Sequence, residues 1–340
     1  MKTKLLSANE YKEAGTILKE GGLVGIPTET VYGLAASALD GAAVAKIFEA
    51  KGRPQDNPLI VHIAELSEID DLVEYVPPVL YDLADEFWPG PLTIILDKSP
   101  AIPDEVSAGL DTVAIRMPSH PVARRIIKAA GVPLAAPSAN TSGKPSPTTA
   151  AHVMHDMDGK IDAVVDGGPC EVGVESTVIT LATRKPQLLR PGRVTPEEIE
   201  EVLGDELIIN DAVLGQLKDG EKVSSPGMKY KHYSPSSNVV IVKGTIDKFA
   251  EYVSKKAGNI AALVFTGEEN KLSCKTYDFG VEDDDLAHAA KLFDTLRACD
   301  DDGIDELYVR CPSADGVGLA VMNRLLRAAE FQIVELGGAK

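Results

Sequence analysis

The chain has 340 residues, 44% of them hydrophobic and 25% charged, which is the composition of a globular protein and excludes global disorder. Its 52 acidic and 34 basic residues give a net charge of −18, which excludes a surface that coats nucleic acid broadly, because such a chain repels phosphate backbones. No apolar run approaches the roughly 18 residues that span a bilayer, and the amino terminus lacks a signal-peptide core, so we expect a cytoplasmic protein without membrane contact.

The first two thirds of the chain alternate helical and strand patterns. Ser7 and Glu10 have the spacing of a capping box for a helix that runs to Lys19, and Asp40 can cap a helix that runs to Lys51. Further helices are predicted over residues 120–130 and from Thr195, and short apolar runs predict strands at residues 23–26, 58–63, 92–96, 113–115, 134–136, 163–165, 177–181 and 187–189. This alternation predicts an α/β architecture with a mixed sheet.

A second domain is predicted after a linker. Periodicity fades over residues 206–237, where Pro226, Gly227 and Pro235 interrupt regular structure. Apolar runs at residues 239–242, 260–265, 307–309 and 333–336 are separated by helical patterns, as in a small doubly wound parallel domain. We therefore predict a first domain over residues 1–205, a linker over 206–237 and a smaller domain over 238–340.

The common nucleotide-binding and hydrolase motifs are missing from the sequence. The stretch around Gly143 and Lys144 departs from a P-loop, because Ser138 and Pro145 occupy the places of its first glycine and its final hydroxyl residue. Neither G-x-G-x-x-G nor G-x-S-x-G is present. The four cysteines form no C-x-x-C pair, which favours reduced thiols over disulfides or structural zinc.

Five polar segments at the ends of predicted strands or helices indicate a ligand site. The first four lie at residues 27–34, 51–62, 111–116 and 137–148, and the fifth comprises residues 174–177 and 189–193. The fourth contains five hydroxyl residues, an asparagine and a lysine, a composition suited to oxygen-rich anions. Cations in or beside these segments could neutralise a polyphosphate: Lys51, Arg53, Arg116, Lys144 and Arg190. Turn formation and surface ion pairs could explain any one segment, but they explain all five together less well.

These segments resemble the YrdC-type threonylcarbamoyl-AMP synthase family. The resemblance lies in PTETVYGL (27–34), KGRPQDNPLIVHI (51–63), WPGPLT (88–93), TVAIRMP (112–118), APSANTSGKPSPT (136–148), GVEST (173–177) and LLRPG (188–192). PGMKYKHYSP (226–235), with the domain after it, resembles the long form of the family. The resemblance implies a YrdC-like open, mixed, twisted sheet with helices, joined to a smaller Rossmann-like carboxy-terminal domain whose linker lies over the active site.

The resemblance also implies a reaction. L-Threonine, bicarbonate or CO2, and ATP with Mg2+ are expected to give L-threonylcarbamoyladenylate and pyrophosphate, which makes the protein a nucleotidyltransferase. The product is expected to pass to enzymes that modify tRNA with threonylcarbamoyladenosine. Because the synthase itself hands on a small molecule, tight direct binding of tRNA is not expected.

The resemblance implies two groups of site residues and no protein ligand for a metal. The positions matching threonine-binding residues are Thr30, His62, Arg116, Ser176 and the backbone around Ala136. The positions matching ATP-binding residues are Lys51, Arg53, Asn57, Thr112, Ser138, Ser146 and Arg190, with Tyr230 as the linker residue that closes over the nucleotide and Tyr233 as the alternative. No protein nucleophile is needed, and Lys51, Arg53 and Arg116 are expected to stabilise charge.

Two other functions remain open from the sequence. One is an enzyme of the same fold that forms carbamoyl-adenylate from carbamoyl phosphate. The other is a module of this fold that binds RNA, against which the net charge of −18 and the 5% of aromatic residues both weigh.

Overall fold

The structure, a computed structural model, describes residues 2–213, 215 and 233–337. The chain forms two compact units, of which the first comprises residues 1–142 and 146–230 and the second comprises residues 143–145 and 231–340. The short segment 143–145 therefore belongs with the second unit. The domain boundaries predicted from the sequence stay a prediction, because most of the predicted linker lies outside the described residues.

Strands and helices alternate through the first unit. In chain order they are β1 (Lys4–Ser7), α1 (Tyr11–Lys19), β2 (Val24–Ile26), β3 (Gly33–Ser37), α2 (Gly41–Lys51), β4 (Ile60–His62), α3 (Val79–Phe87), β5 (Leu92–Asp97), α4 (Asp104–Ser107), β6 (Thr112–Arg116), α5 (Pro121–Ala130), β7 (Leu134–Ala135), α6 (Ala150–Met157), β8 (Ala163–Asp166), β9 (Thr177–Thr180), β10 (Gln187–Arg190), α7 (Pro196–Leu203) and β11 (Ile208–Ile209). The α/β class predicted from the sequence is confirmed.

These strands form one sheet in the order β1-β8-β2-β3-β7-β4-β6-β5-β9-β10-β11. The central strands β4 and β6 pair in parallel, whereas β7 pairs with β4 and β5 pairs with β6 in the antiparallel sense, so the sheet is mixed as predicted. Leu18 of α1 and Ile126 of α5 are fully buried in one apolar cluster with Val24 of β2. The packing of these two helices against the sheet fixes the strands whose ends carry the polar segments.

Helix ends follow the capping signals read from the sequence. The Asp40 carboxylate accepts hydrogen bonds from the backbone N–H groups of Ala42 and Ala43, which would otherwise lack partners in the first turn of α2. Gly52 ends that helix with a φ of 64°, a left-handed conformation that glycine adopts without steric cost. Helix α7 begins after Thr195, as predicted, with a capping box between Thr195 and Glu198. These ends hold residues 51–53 at a fixed turn beside the sheet.

Strand β3 was not predicted from the sequence. Its residues, GLAAS, are small and have low strand propensity, and all five are buried. The strand forms because it lies between β2 and β7, whose ladders satisfy its backbone groups on both edges. Tertiary pairing therefore overrides the local preference of these residues.

The second unit contains a smaller sheet flanked by helices. Its elements are β12 (Asn238–Lys243), α8 (Ile246–Ser254), β13 (Ile260–Val264), β14 (Lys275–Asp278), α9 (Asp285–Asp301), β15 (Glu306–Arg310), α10 (Gly318–Ala328) and β16 (Ile333–Glu335). The strand order is β14-β13-β15-β12-β16, and every neighbouring pair among the described strands is parallel. This arrangement confirms the doubly wound domain predicted from the sequence.

An arginine braces the carboxyl ends of three strands in the second unit. Arg310, the last residue of β15, donates through Nε to both carboxylate oxygens of Glu268, at 3.2 and 2.9 Å, and through Nη1 to the carbonyl of Gly244, at 2.5 Å. Glu268 follows β13 and Gly244 follows β12. The Arg310 guanidinium also lies 5.1 Å from the ring centroid of Phe265, within the range of a cation–π contact.

Gly192 provides a test of the first unit's packing. A Cβ added there would lie 2.3 Å from the backbone nitrogen of Thr177, so Gly192→Ala must displace backbone and is expected to lower the free energy of unfolding by more than about 2 kcal/mol. Gly204→Ala is the matched control: its Cβ would meet nothing within 4 Å, and only the left-handed φ of 62° should cost it about 1 kcal/mol. Urea unfolding of both variants measures the difference, and equal losses would show that the close approach at Gly192 is relieved without strain.

Candidate functional site

Backbone hydrogen bonds join several of the polar segments. The N–H of Leu34 donates to the carbonyl of Pro137 at 2.7 Å, and the N–H of Ala139 donates to the carbonyl of Tyr32 at 2.8 Å. The N–H of Gly173 reaches the carbonyl of Thr30 at 3.1 Å. Segments that are more than 100 residues apart in sequence are therefore held side by side.

Arg116 lies at the centre of this arrangement. It is the last residue of β6 and is 3% exposed. Its Nε donates to the carbonyl of Gly90 at 3.3 Å, its Nη1 to the hydroxyl of Thr30 at 2.9 Å, and its Nη2 to Oε1 of Glu29 at 2.6 Å. Three residues from two separate segments of the chain thus hold one guanidinium, as a planar group with five donors allows.

Glu29 is ionised in this setting. Burial opposes the negative charge, but the attraction and hydrogen bond of Arg116, with smaller contributions from the backbone N–H groups of Glu29 and Ser119, outweigh that penalty and hold the pKa of the carboxyl below its usual range. Within the described chain, its second oxygen, Oε2, is buried without a hydrogen-bond partner. Sequence reasoning missed this residue, although it lies between two threonines in a polar segment that follows a buried strand.

His62 faces Arg116 across two parallel strands. The two residues are register partners at the ends of β4 and β6. Burial lowers the pKa of His62 to about 3, and repulsion from the Arg116 charge adds to the shift, so the imidazole is neutral at pH 7. Its Nδ1 lies 3.1 Å from the carbonyl of Ile60, and because a carbonyl only accepts, Nδ1 must carry the proton. The other ring nitrogen, Nε2, is therefore an acceptor.

The hydroxyl of Thr30 is also committed as an acceptor. The Thr28 hydroxyl donates to the carbonyl of Val31 at 2.6 Å, so in its 2.9 Å contact with Thr30 it must accept the Thr30 proton. With that proton used, the Thr30 oxygen can only receive further hydrogen bonds, one of them from Arg116.

A second arginine organises the neighbouring edge of the site. Arg190, at the end of β10, donates through Nε to the carbonyl of Ser176 at 3.0 Å and through Nη2 to its hydroxyl at 3.1 Å. The same hydroxyl lies 2.8 Å from that of Thr93 on β5. Arg190 and Ser176, predicted for different substrates, are thus in direct contact.

Lys51 connects α2 with the segment 137–148. Its ammonium group donates to the carbonyl of Ser138 at 2.5 Å and to that of Asn140 at 2.6 Å, and the residue is 2% exposed. Ser146, deeper in the same segment, donates to Oε1 of Glu175 at 2.5 Å. These bonds hold the hydroxyl-rich segment against the sheet.

Asn57 stands out among the residues predicted to bind ATP. It is fully buried, and in the part of the chain that the structure describes neither Oδ1 nor Nδ2 has a hydrogen-bond partner. An amide left in this state costs about 1–3 kcal/mol, so a buried orphan of this kind indicates a place for an unseen partner.

The remaining predicted residues are placed as follows. Arg53 comes directly after the glycine that ends α2, Thr112 begins β6 and is half-buried, and Ala136 follows β7 and donates its N–H to the carbonyl of Ile60. Tyr230 lies outside the described residues.

Tyr233 and Lys144 both belong to the second unit. The ring of Tyr233 packs 5.1 Å from that of Phe293. The Lys144 ammonium lies 3.0 Å from the carboxylate of Asp300. Lys144 therefore pairs with a carboxylate of its own unit, and its predicted contact with a polyphosphate stays a prediction.

Two features are absent from the residues that the structure describes. Across 2–213, 215 and 233–337, no group of three or more histidine, cysteine, aspartate or glutamate side chains could hold a metal ion. Among the same residues, no helix has the length and apolar character needed to cross a membrane.

Comparison with known proteins identifies relatives with this fold. Residues 16–192 match the Sua5_yciO_yrdC family, described as telomere recombination, and residues 194–330 match the family described as threonylcarbamoyl-AMP synthase, C-terminal domain. The threonylcarbamoyl-AMP synthase of Pyrococcus abyssi is 46% identical over 95% of both chains, and that of Bacillus subtilis is 46% identical over 98% of this chain and 97% of its own. The crystal structure of P. abyssi Sua5 complexed with L-threonine superposes with a TM-score of 0.90 at 42% identity, covering 98% of this chain and 99% of that one.

The chain is therefore an α/β enzyme with a carboxy-terminal domain of the doubly wound type. It belongs to the Sua5/YciO/YrdC family of threonylcarbamoyl-AMP synthases, in agreement with the resemblance read from its motifs.

The neutral state of His62 has a measurable consequence. Between about pH 6.5 and pH 3 the unfolded chain binds a proton at this histidine that the folded chain does not, so its contribution to stability is present above pH 6.5 and is lost as the pH falls. One such proton gives a slope of about 1.4 kcal/mol per pH unit. We expect the unfolding free energy of His62→Gln to fall less steeply from pH 6.5 to pH 4.5 than that of the wild type.

Urea unfolding of the wild type, His62→Gln and the control His155→Gln, which replaces an exposed histidine, measures these slopes. The same slope in the wild type and His62→Gln would contradict a buried, neutral imidazole.

Proposed function

We propose that the protein is an L-threonylcarbamoyladenylate synthase that condenses L-threonine, bicarbonate or CO2, and ATP and releases pyrophosphate. The observation that carries the proposal is the buried Arg116, fixed by Gly90, Thr30 and Glu29 beside the neutral His62. The names of the relatives and the L-threonine in the P. abyssi complex support the same activity.

Threonine binding is assigned to the surroundings of Arg116. The guanidinium suits a carboxylate, and the acceptors at Thr30 and His62 suit the amino and hydroxyl groups of an amino acid, which donate hydrogen bonds. Ser176 and the backbone around Ala136 complete the proposed pocket. Burial of all these side chains strengthens each polar contact, since little water competes there.

ATP binding is assigned to the segments next to that pocket. Arg53, Thr112, Ser138, Ser146 and Arg190 remain proposed contacts, and the orphaned amide of Asn57 supports a nucleotide partner there. Lys51 would act partly through the carbonyls of Ser138 and Asn140, which it already binds. Tyr230, or Tyr233 in its place, is proposed to cover the nucleotide.

The proposed chemistry requires no protein nucleophile. The amino group of threonine adds to CO2 and loses a proton, which gives an N-carboxy anion; that anion forms a bond to the α-phosphorus of ATP as the bond to pyrophosphate breaks. The reactants are anions that repel one another, so the site must position them and stabilise charge, which Lys51, Arg53 and Arg116 would do.

Mg2+ is proposed to bind together with ATP. An ion held mainly by phosphate oxygens and water would need few ligands from the protein. When bound, Mg2+ would neutralise phosphate charge.

The product is proposed to pass to the enzymes that attach the threonylcarbamoyl group to tRNA in the cytoplasm. The net charge of −18 supports transfer of a small molecule over tight binding of tRNA by this chain.

Pyrophosphate release tests the function directly. We expect release from ATP and Mg2+ only when L-threonine and bicarbonate are both present, with a nucleotide product of the mass of threonylcarbamoyl-AMP. Pyrophosphate release without threonine, or with carbamoyl phosphate in its place, would show that the pocket activates a different substrate.

Arg116→Lys tests the proposed carboxylate site in the same assay. A lysine keeps the charge but cannot reach Gly90, Thr30 and Glu29 in one plane, so we expect kcat/KM for L-threonine to fall at least tenfold. Arg124→Lys, at a half-buried arginine that donates to the carbonyl of Ala64, is the control expected to keep wild-type turnover. Wild-type turnover in Arg116→Lys would refute the role of Arg116.

A further inference from the structure

Arg116 and Glu29 form a buried ion pair that carries no net charge. Arg116 is positive, and Glu29, 2.6 Å away, is negative; both side chains are almost fully buried. Of the other titratable groups near the pair, His62 is neutral, burial lowers the pKa of His120 from its ordinary value, and burial raises the pKa of the Cys170 thiol to about 12. Glu171, which also acts on His120, is exposed and screened by solvent.

This neutral pair restricts what can enter. A ligand that brings only a carboxylate would place a second anion on a guanidinium whose charge Glu29 already balances, and at low dielectric that excess charge is costly. A ligand that brings a carboxylate and an ammonium group adds no net charge. The pocket therefore matches a zwitterion better than an anion.

The unused hydrogen-bonding capacity points the same way. Three acceptors lie beside Arg116: Oε2 of Glu29, which has no hydrogen-bond partner among the described residues, the Thr30 hydroxyl, whose proton is donated to Thr28, and Nε2 of His62. A carboxylate oxygen cannot satisfy any of them, because it also only accepts. A protonated amino group supplies three donors, and the Glu29 carboxylate is the only anion among the three acceptors.

We propose that Glu29 is the residue that makes this pocket specific for an amino acid, by receiving the substrate's ammonium group at Oε2 while Oε1 stays on Arg116. The inference rests on the proposed function, in that L-threonine is taken as the ligand of this pocket. The role assigned to Glu29 is selection by charge: it admits the zwitterion and rejects the matching anion that lacks the amino group.

The test compares two ligands of nearly equal shape. L-Threonine is a zwitterion, whereas (2S,3R)-2,3-dihydroxybutanoate has a hydroxyl in place of the amino group and carries a net negative charge. Isothermal titration of each into the wild type and Glu29→Gln gives the ratio of the two dissociation constants. We expect Glu29→Gln to weaken threonine binding at least tenfold and to reduce the preference for threonine over the hydroxy acid at least tenfold.

A matched control exists in the second unit. Glu268→Gln also removes the charge from a glutamate paired with a buried arginine, at 2.9 Å, so it carries a similar cost to folding. It is expected to keep the wild-type ratio. Glu29→Asp, which keeps the charge, is expected to bind both ligands more weakly but to keep the ratio within about threefold, and it replaces Glu29→Gln if that variant does not fold.

The outcomes separate the inference from the proposed function. If the folded wild type does not bind L-threonine, the proposed function fails and the inference fails with it. If the wild type binds threonine and Glu29→Gln weakens both ligands by the same factor, or folded Glu29→Asp loses the preference, Glu29 only supports Arg116 and the inference alone is overturned.

Discussion

The Arg116 guanidinium is the constraint on which the site depends. A buried positive charge must be paired and hydrogen-bonded on several sides, and here that requirement draws Gly90, Thr30 and Glu29 to one group. Since β6 is a central strand, these contacts also fix the loop after β2 against the middle of the sheet. The hydrogen bonds of Arg116 therefore both stabilise the fold and build the proposed binding site.

Hydrogen-bond direction adds information that residue identity does not contain. Threonine and histidine can each donate or accept, but the carbonyls of Val31 and Ile60 remove that freedom for Thr28 and His62. Because the Thr28 hydroxyl must then accept, the Thr30 hydroxyl donates its proton to it. Side chains that could donate or accept in the unfolded chain thus become acceptors in the pocket, so a ligand must supply hydrogen-bond donors.

Local signals predicted much of the fold, whereas the contacts of the site were beyond their reach. Capping by Asp40 and Thr195 acts within a few residues, so it can be read from the sequence. The polar segments could be recognised because each lies at the end of a predicted strand or helix. The pairing of Glu29 with Arg116 spans 87 positions, and that of Lys51 with Ser138 likewise spans 87. No local pattern encodes such pairs, and β3 was missed because its small residues become a strand only between two neighbours.

Each unit ends a parallel-paired strand with an arginine held by a glutamate, and the two pairs differ in one respect. Arg310 donates to both carboxylate oxygens of Glu268, and one of these oxygens also accepts from the backbone N–H of Phe265. Both oxygens of that pair are therefore hydrogen-bonded, and the pair stabilises the second unit. Arg116 engages one oxygen of Glu29 and leaves the other buried and unmatched among the described residues. The same two amino acids thus form a fully hydrogen-bonded ion pair in one sheet, whereas in the other they leave one carboxylate oxygen able to accept a further hydrogen bond.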